Sequence, residues 1–321
     1  MLAARDGRMA MAGGRRDNDL DRGLSDLLGQ EVRLGTMVSG GSIHRAQELL
    51  LTGGDRLFLK SCAAERQPLL EAERQGLAAL AAASDPAQPL RIPAVQACGR
   101  LGDRAVLVLE WLPLQRGGSG GDREQAWRGF GAALAQLHRR SAEARSSAAG
   151  TGAFGWAEDN WIGSAPQRNR WCRDWATFFV EHRLEPQLTW AARLGHPFRG
   201  ADALLKSAGA WLRDHQPAPS LVHGDLWAGN GGLLVDGGGA IFDPASHWAD
   251  REVDLAMAAL FGGFPPAFFA GYEATWPRPS GHRQRQALYN LYHELNHANL
   301  FSGGYRNQAQ ATIDALLSRW S

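Results

Sequence analysis

One short stretch limits what this chain can be more than any other. Leu221-Val222 runs into His223-Gly224-Asp225-Leu226-Trp227-Ala228-Gly229-Asn230, and Asp243 follows thirteen residues after Asn230 in Ala240-Ile241-Phe242-Asp243-Pro244. The apolar run reads as a strand that delivers His223, Gly224 and Asp225 to its end. Gly231–Val235 and Ala240–Phe242 read as two further strands around Asp236-Gly237-Gly238-Gly239, whose residues tolerate positive φ. Such a hairpin folds Asp243 back beside Asn230. Taken alone, His-Gly-Asp is an ordinary turn sequence; the ordered set of Asp225, Asn230, hairpin and Asp243 is not.

Phosphoryl transfer from ATP needs a carboxylate to accept the proton of the attacking hydroxyl. It also needs hard oxygen ligands to hold Mg²⁺ against the phosphates. Asp225 suits the first task, and Asn230 and Asp243 suit the second. The five-residue step from Asp225 to Asn230 is the one found in the H-R-D-x-x-x-x-N loop of protein kinases.

Composition is compatible with such an enzyme and narrows its setting. The 321 residues are 44% hydrophobic, enough for a large core in one domain or two lobes. A formal net charge of +1 gives no reason to expect nucleic acid or an anionic membrane as partner and points to a small molecule. Cys62, Cys98 and Cys172 are widely spaced, with no C-x-x-C pair for zinc or redox chemistry, which suits a reducing cytoplasm. No run approaches the ~18 apolar residues of a membrane span. Met1 to Arg16 lacks the apolar segment of a secretory signal and reads as the start of a disordered tail, residues 1–17.

After this tail, Leu20, Leu24, Leu27 and Leu28 predict a short amphipathic helix from Asn18 to Gln30. Val32–Val38, Ala46–Leu51 and Arg56–Lys60 read as strands, with Gly40-Gly41-Ser42 and Gly53-Gly54-Asp55 between them. A glycine loop whose backbone N–H groups approach phosphate, followed by a strand ending in Lys60, fits a lid over the nucleotide. Pro68–Ala83 has helical spacing, with Leu69, Leu70, Leu77 and Leu80 on a stripe that Glu73 adjoins. A carboxylate there needs a partner, and Lys60 is the obvious one; Glu71 fits the exposed face. Ala105–Pro113 is an apolar strand ending in Glu110-Trp111-Leu112-Pro113; it fits a buried central strand equally well, and context alone makes it the connector whose backbone would meet adenine.

Gly117–Gly121 reads as a linker, and from Asp122 the chain turns helical, with Trp127, Phe130, Leu134 and Leu137 on one stripe. His138 closes that stripe as a packing residue. Phe154 to Gln167 reads as loop, followed by a helix carrying Trp171, Trp175, Phe178, Phe179 and Leu184. Asp250–Ala256 opens a helix with acids at its positive end, where Asp254 either braces the catalytic loop or only complements the dipole.

A rival motif lies further on. His293-Glu294-Leu295-Asn296-His297 matches H-E-x-x-H, which on a helix can bind Zn²⁺ for proteolysis. No Glu or His follows His297 to serve as third ligand, so a packed or substrate-facing helix is the preferred reading.

Taken together, these runs resemble the fructosamine kinase (ketosamine 3-kinase) family, over roughly residues 18 to 318. The likeness rests on Gly40-Gly41-Ser42-Ile43, Leu57-Phe58-Leu59-Lys60, Glu73, Phe154-Gly155 through Asn160 to Gln167, Arg183-Leu184 and Gln187. It continues with His223 to Asn230, Asp243-Pro244-Ala245, Asp250-Arg251-Glu252 with Asp254, Leu260 to Phe264, and Leu291-Tyr292-His293 with Leu295-Asn296-His297. The resemblance implies an α+β fold of the bilobal protein-kinase-like type, related to aminoglycoside phosphotransferases. A small antiparallel-sheet N-lobe would span 18–110 and a larger, mostly helical C-lobe 111–321.

It implies ATP and Mg²⁺ as cofactors, and phosphorylation of the sugar 3-hydroxyl of free or protein-bound ketoamines, a deglycation repair. Asp225 would be the base, and Asn230 and Asp243 the metal ligands. Gly40, Gly41, Ser42, Lys60, Glu73, Glu110, Trp111 and Leu112 would hold the nucleotide, with His223, Trp227, His293 and His297 toward substrate. A cytoplasmic monomer is expected. Alternatives are a kinase of the aminoglycoside or choline type, a pseudokinase, disfavoured by the presence of Lys60, Asp225, Asn230 and Asp243, and the zinc protease. Two departures stand out: Ser42 replaces the cysteine of redox-sensitive members, and His247-Trp248 replaces an expected Tyr-Gly.

Overall fold

The structure, a computed structural model, describes residues 19–38, 45–87, 90–115, 121–146 and 153–320. The expected tail, the Gly40-Gly41-Ser42 loop and most of the Gly117–Gly121 linker lie outside the described residues. The chain divides into two compact units, Met1–Ala78 with Pro93–Leu112, and Ala79–Ile92 with Pro113–Ser321.

The first unit is built on one antiparallel sheet. Helix α1 (19–28) precedes β1 (Val32–Met37), β2 (Arg45–Leu51) and β3 (Arg56–Ala63); α2 (Gln67–Ala83), β4 (Val95–Leu101) and β5 (Arg104–Glu110) follow. The strand order is β1-β2-β3-β5-β4. Alternation along the strands sends Leu49, Leu59, Val106 and Val108 to one face, where Leu20 and Leu24 of α1 complete a small core. Strand β3 runs three residues past its expected end, to Ala63, so Lys60 sits inside it opposite Ala46 and Leu107.

The second unit is mostly helical. Its elements are α3 (Gly121–Ser146), β6 (Asn160–Ile162), β7 (Ala165–Gln167), α4 (Trp175–Phe179), α5 (Glu185–Arg193), α6 (Ala201–Leu212), β8 (Pro219–Val222), β9 (Gly231–Leu233), β10 (Gly239–Ile241), β11 (His247–Asp250), α7 (Glu252–Leu260), α8 (Pro266–Thr275), α9 (His282–Phe301) and α10 (Gly304–Trp320). A π-turn over Val180–Leu184 joins α4 to α5. The apolar core gathers Trp175, Phe178, Phe179 and Leu184 against Leu288, Tyr289, Leu291 and Leu295 of α9. Trp127 and Phe130 of α3 stack near Phe264 and Phe268.

Three expectations shift here. Asp250 ends a strand, β11, which pairs antiparallel with β8, and the helix starts only at Glu252. The departure at His247-Trp248 therefore falls in β11, with His247 opposite Val222. The stretch expected as loop between Phe154 and Gln167 contains the β6–β7 hairpin, too short and too polar for alternation to mark it. Trp171 lies before the helix, which is capped by the Asp174 side chain accepting from Thr177 N.

Two buried polar clusters cross the core of the second unit. The Tyr289 hydroxyl donates to Asp250 Oδ2 (2.7 Å) and accepts from Trp175 Nε1 (2.8 Å), while His215 Nε2 lies 2.7 Å from the same Asp250 oxygen. Glu252 and Arg285 form a buried two-pronged pair at 2.7 and 2.8 Å. Removing the bridging hydroxyl with Tyr289→Phe should cost about 2–4 kcal/mol, because it leaves two buried groups a hydrogen bond short. Urea unfolding would read this as a lower midpoint with an unchanged slope.

Candidate active site

The stretch that carries Asp225 leaves β8 at Val222 and turns at once. Gly224 has φ +84°, and a Cβ there would lie 2.3 Å from the Ala245 carbonyl oxygen, so both conformation and space require glycine. The turn is pinned from below by Asp254 in the first turn of α7. Its carboxylate accepts from the backbone N–H of His223 (2.7 Å) and of Gly224 (2.8 Å), and His138 Nε2 lies 3.2 Å from the same group. The Tyr272 hydroxyl, which accepts from Arg251, is 2.8 Å from the other nitrogen of His138. His138 is thus a satisfied buried residue, and it helps to fix the loop. Burial opposes ionisation of Asp254, but the His138 and backbone hydrogen bonds outweigh it and hold its pKa below the ordinary aspartate value.

His223, placed toward substrate by sequence, has its ring fully buried. Nε2 donates to the Phe242 carbonyl (2.9 Å) and Nδ1 accepts from Asp225 N (3.3 Å). The ring therefore ties Asp225 to the residue that precedes Asp243, and burial lowers its pKa, which favours the neutral form. His293 is likewise buried. Trp227 is exposed and His297 half-buried, so of the four residues placed toward substrate these two have surface to offer.

Asp225, Asn230 and Asp243 come together. Asn230 Nδ2 donates to the Asp225 carbonyl (2.9 Å) and carboxylate (3.2 Å) and lies 3.4 Å from the Asp243 carbonyl. Strands β9 and β10 pair antiparallel, and Phe242 N donates to the Asn230 carbonyl (2.9 Å), so the hairpin returns Asp243 to Asn230. Asp243 holds φ 61°, a left-handed conformation rare outside glycine. Burial, and then the charge of Asp243, push the pKa of Asp225 up to about 7. Two crowded carboxylates joined by an amide make a donor set of hard oxygens, which suits a small divalent cation that would remove their repulsion.

A layer of side chains that carried no recognisable role in the sequence holds this arrangement from behind. Gln167 Nε2 donates to the Ala245 carbonyl (3.1 Å) and Asn160 Nδ2 to the Ser246 carbonyl (2.9 Å). Asn160 Oδ1 accepts from Gln167 and from Asn169, Tyr292 donates to Gln167 Oε1, and Arg183 donates to Asn169 Oδ1. All are buried. No periodicity marks such residues, because each is placed by a partner far away in the chain.

In the first unit, Lys60 Nζ lies 2.7 Å from Glu73 Oε1, and both side chains are buried. Glu71 instead pairs with Arg74 on a more open face. Glu110 N donates to the Ala94 carbonyl and its carboxylate accepts from Ala94 N, while Trp111 packs on Phe58 and under Arg56.

Two of the H-E-x-x-H residues engage protein groups, His297 Nδ1 donating to the His293 carbonyl (2.8 Å) and Glu294 Oε1 accepting from Gln308 (3.1 Å), while His293 Nδ1 and Glu294 Oε2 have no hydrogen-bond partner among the described residues.

The depressed pKa of Asp254 has a pH signature. Its contribution to stability is full above the unfolded value near 4 and is lost as pH falls through the lower folded value. Asp254→Asn should therefore lower stability at pH 7 by about 2–3 kcal/mol and flatten the acid limb below pH 4, as followed by urea unfolding across pH.

Comparison with known proteins shows the family. The family model for fructosamine kinase matches residues 18–319. A Synechocystis sp. protein named probable ketoamine kinase is 43% identical over 296 residues, covering 92% of this chain and 94% of that protein. The Escherichia coli K12 protein YniA, also named probable ketoamine kinase, is 38% identical over 300 residues, covering 93% and 98%. The crystal structure of a Thermobifida fusca protein with fructosamine-3-kinase in its name superposes with a TM-score of 0.78 at 31% identity, covering 94% and 99%. The aminoglycoside phosphotransferase APH(4)-Ia, at 17% identity and a TM-score of 0.58, shares the fold. The fold is thus α+β and protein-kinase-like, and the chain belongs to the fructosamine kinase family of phosphotransferases.

Proposed function

We propose that the protein transfers the γ-phosphoryl group of ATP to the 3-hydroxyl of the sugar in a ketoamine, so that the unstable product releases the amine and the glycated molecule is repaired. The observation that carries this reading is the Asp225–Asn230–Asp243 grouping, tied together by Asn230 Nδ2. Ketoamine is the acceptor named for the Synechocystis and Escherichia coli relatives.

In this reading Asp225 accepts the hydroxyl proton as the sugar oxygen forms its bond to phosphorus and the bond to the ADP oxygen breaks. Mg²⁺, held by Asn230 and Asp243, would supply neutralisation of phosphate charge when bound. Asn230, fixed by its donation to Asp225, orients the base. Lys60, aligned by Glu73, pairs the phosphates as a point charge. From sequence, Gly40, Gly41 and Ser42 are assigned to the phosphates and the backbone of Trp111 and Leu112 to adenine, since Glu110 N is already engaged. Among the described residues no helix is long and apolar enough to cross a membrane. A monomeric enzyme working on ATP in the cytoplasm is the setting we propose.

Asp225→Asn should lose at least ~10³-fold in ATP-dependent phosphorylation of a fructose- or ribulose-lysine while keeping a cooperative melt, with ³¹P spectroscopy locating the phosphate in wild-type product. A variant that still turns over removes Asp225 from its role; phosphate on another hydroxyl removes the 3-position. Lys60→Met leaves Glu73 buried without its ion partner and should cost about 3–5 kcal/mol in addition to activity, whereas Lys60→Met with Glu73→Leu should recover stability but not turnover.

A further inference from the structure

The large aromatic side chains left in solvent are not scattered. Among the described residues the four exposed ones are Trp227 (38%), Phe261 (41%), Phe301 (57%) and Tyr305 (36%). They form one chain of rings with half-buried His297 at its middle. Trp227 meets Phe261 at 6.5 Å between centroids, Phe261 meets His297 at 5.1 Å, and His297 meets Phe301 at 5.6 Å and Tyr305 at 5.2 Å. The chain begins two residues after Asp225. Gly263 brings its second member in: a Cβ there would lie 2.3 Å from that of Ala228, so this loop presses against the catalytic turn and carries Phe261 to Trp227.

Beneath the rings lies an acid. Glu294, His297 and Phe301 stand at i, i+3 and i+7 of α9 and so share one face. Tyr305 and Gln308 face them from α10, and Gln308 Nε2 donates to Glu294 Oε1 (3.1 Å). Glu294 is 6% exposed, and its Oε2 has no hydrogen-bond partner among the described residues. A buried carboxylate oxygen without a partner is costly and favours a nearby cation. Ring faces attract the same kind of group. His297 is oriented within the ledge by its Nδ1, which donates to the His293 carbonyl (2.8 Å).

We infer that this aromatic ledge over Glu294 binds the alkylammonium part of the substrate. The protonated secondary amine would lie toward Trp227 and Phe261, with its alkyl chain along Phe301 and Tyr305. The inference rests on the ketoamine kinase reading above, and it names what selects the amine. In a ketoamine the nitrogen is borne on C1, two carbons from C3. A ledge that starts two residues from Asp225 is near enough in the chain to meet an amine borne two carbons from the reacting hydroxyl. The ledge is a specificity site: it takes a positive charge followed by an apolar chain, and disfavours an amine carrying an acidic group close to the nitrogen.

The test compares an N-alkyl-1-amino-1-deoxyfructose with its uncharged 1-O-alkyl ether of equal chain length. Wild type should prefer the ammonium compound at least ~10-fold in kcat/KM. Glu294→Gln, Phe301→Ala and Tyr305→Ala should each shrink that preference several-fold, whereas a merely structural defect would lower both substrates alike and leave the ratio standing. Independently of any variant, an alkyltrimethylammonium ion should inhibit wild type competitively with ketoamine at lower concentration than the neutral 3,3-dimethylbutyl analogue. Equal use of both substrates by wild type overturns the inference while leaving the kinase assignment intact, as does a ratio unmoved by all three variants. If wild type phosphorylates neither compound nor any other ketoamine, the functional reading itself falls, and the ledge assignment with it.

Discussion

A single buried carboxylate organises the second unit. Asp254 accepts two consecutive backbone N–H groups from the turn that carries Asp225, and it also meets His138 from α3. Charge-assisted bonds of this kind are about twice as strong as neutral ones, and leaving either end unpaired in the interior would be expensive. The turn therefore cannot relax without stranding an acid, and neither α7 nor α3 can shift without releasing the turn. Tyr272 extends the same constraint to α8, and Arg251 closes it by donating to that hydroxyl. Three helices and one loop are thus positioned by hydrogen bonds that have few alternative arrangements.

This explains how an uncommon backbone conformation can persist at Asp243. A left-handed φ at a non-glycine residue survives where its flanks are over-determined. On one side Phe242 is held by Asn230 through its N–H and by the His223 ring through its carbonyl. On the other, Ala245 N donates to the His223 carbonyl, and Gln167 and Asn160 bind the next two carbonyls. The polar layer of Asn160, Gln167, Asn169 and Arg183 is in effect a mould for one short segment. Its cost is the burial of Arg183, whose pKa desolvation brings down to about 10, with neutral carbonyls and the faces of Phe178 and Tyr292 around it.

What could be read from the sequence depended on how local its cause was. The β9–β10 hairpin, the α2 stripe with Glu73 and the strands of the first unit are set by short-range pattern, and they stand within a few residues of where pattern put them. Lys60 lies deeper in its strand than expected because β3 continues pairing with β5 beyond it. The role of Asp254 was one of two open readings, since a helix-start acid looks the same whether it faces solvent or a buried loop. Sequence placed His223 toward substrate, but its ring is buried because Phe242 and Asp225 N close on its two nitrogens. The supporting amides were visible as residues but not as a network. Gln167 reaches Tyr292, 125 positions away, and only the tertiary fold makes that a pair.

Helix α9 shows why the pentapeptide that mimics a zinc motif belongs here without metal chemistry being required of it. Tyr292, Asn296 and Asn299 recur at i, i+4 and i+7 and turn inward, where Tyr292 supports Gln167 and the two asparagines engage Gln187. Glu294, His297 and Phe301 occupy another face of the same helix and lead to the exposed rings. One helix thus supports the loop that carries Asp225 with its inner face and presents a surface with the other. Changes on the outer face can alter that surface while the inner hydrogen bonds keep Asp225 and Asn230 in place. That separation follows from the 3.6-residue period, which sends residues three or four apart to one side and leaves those between them to serve another.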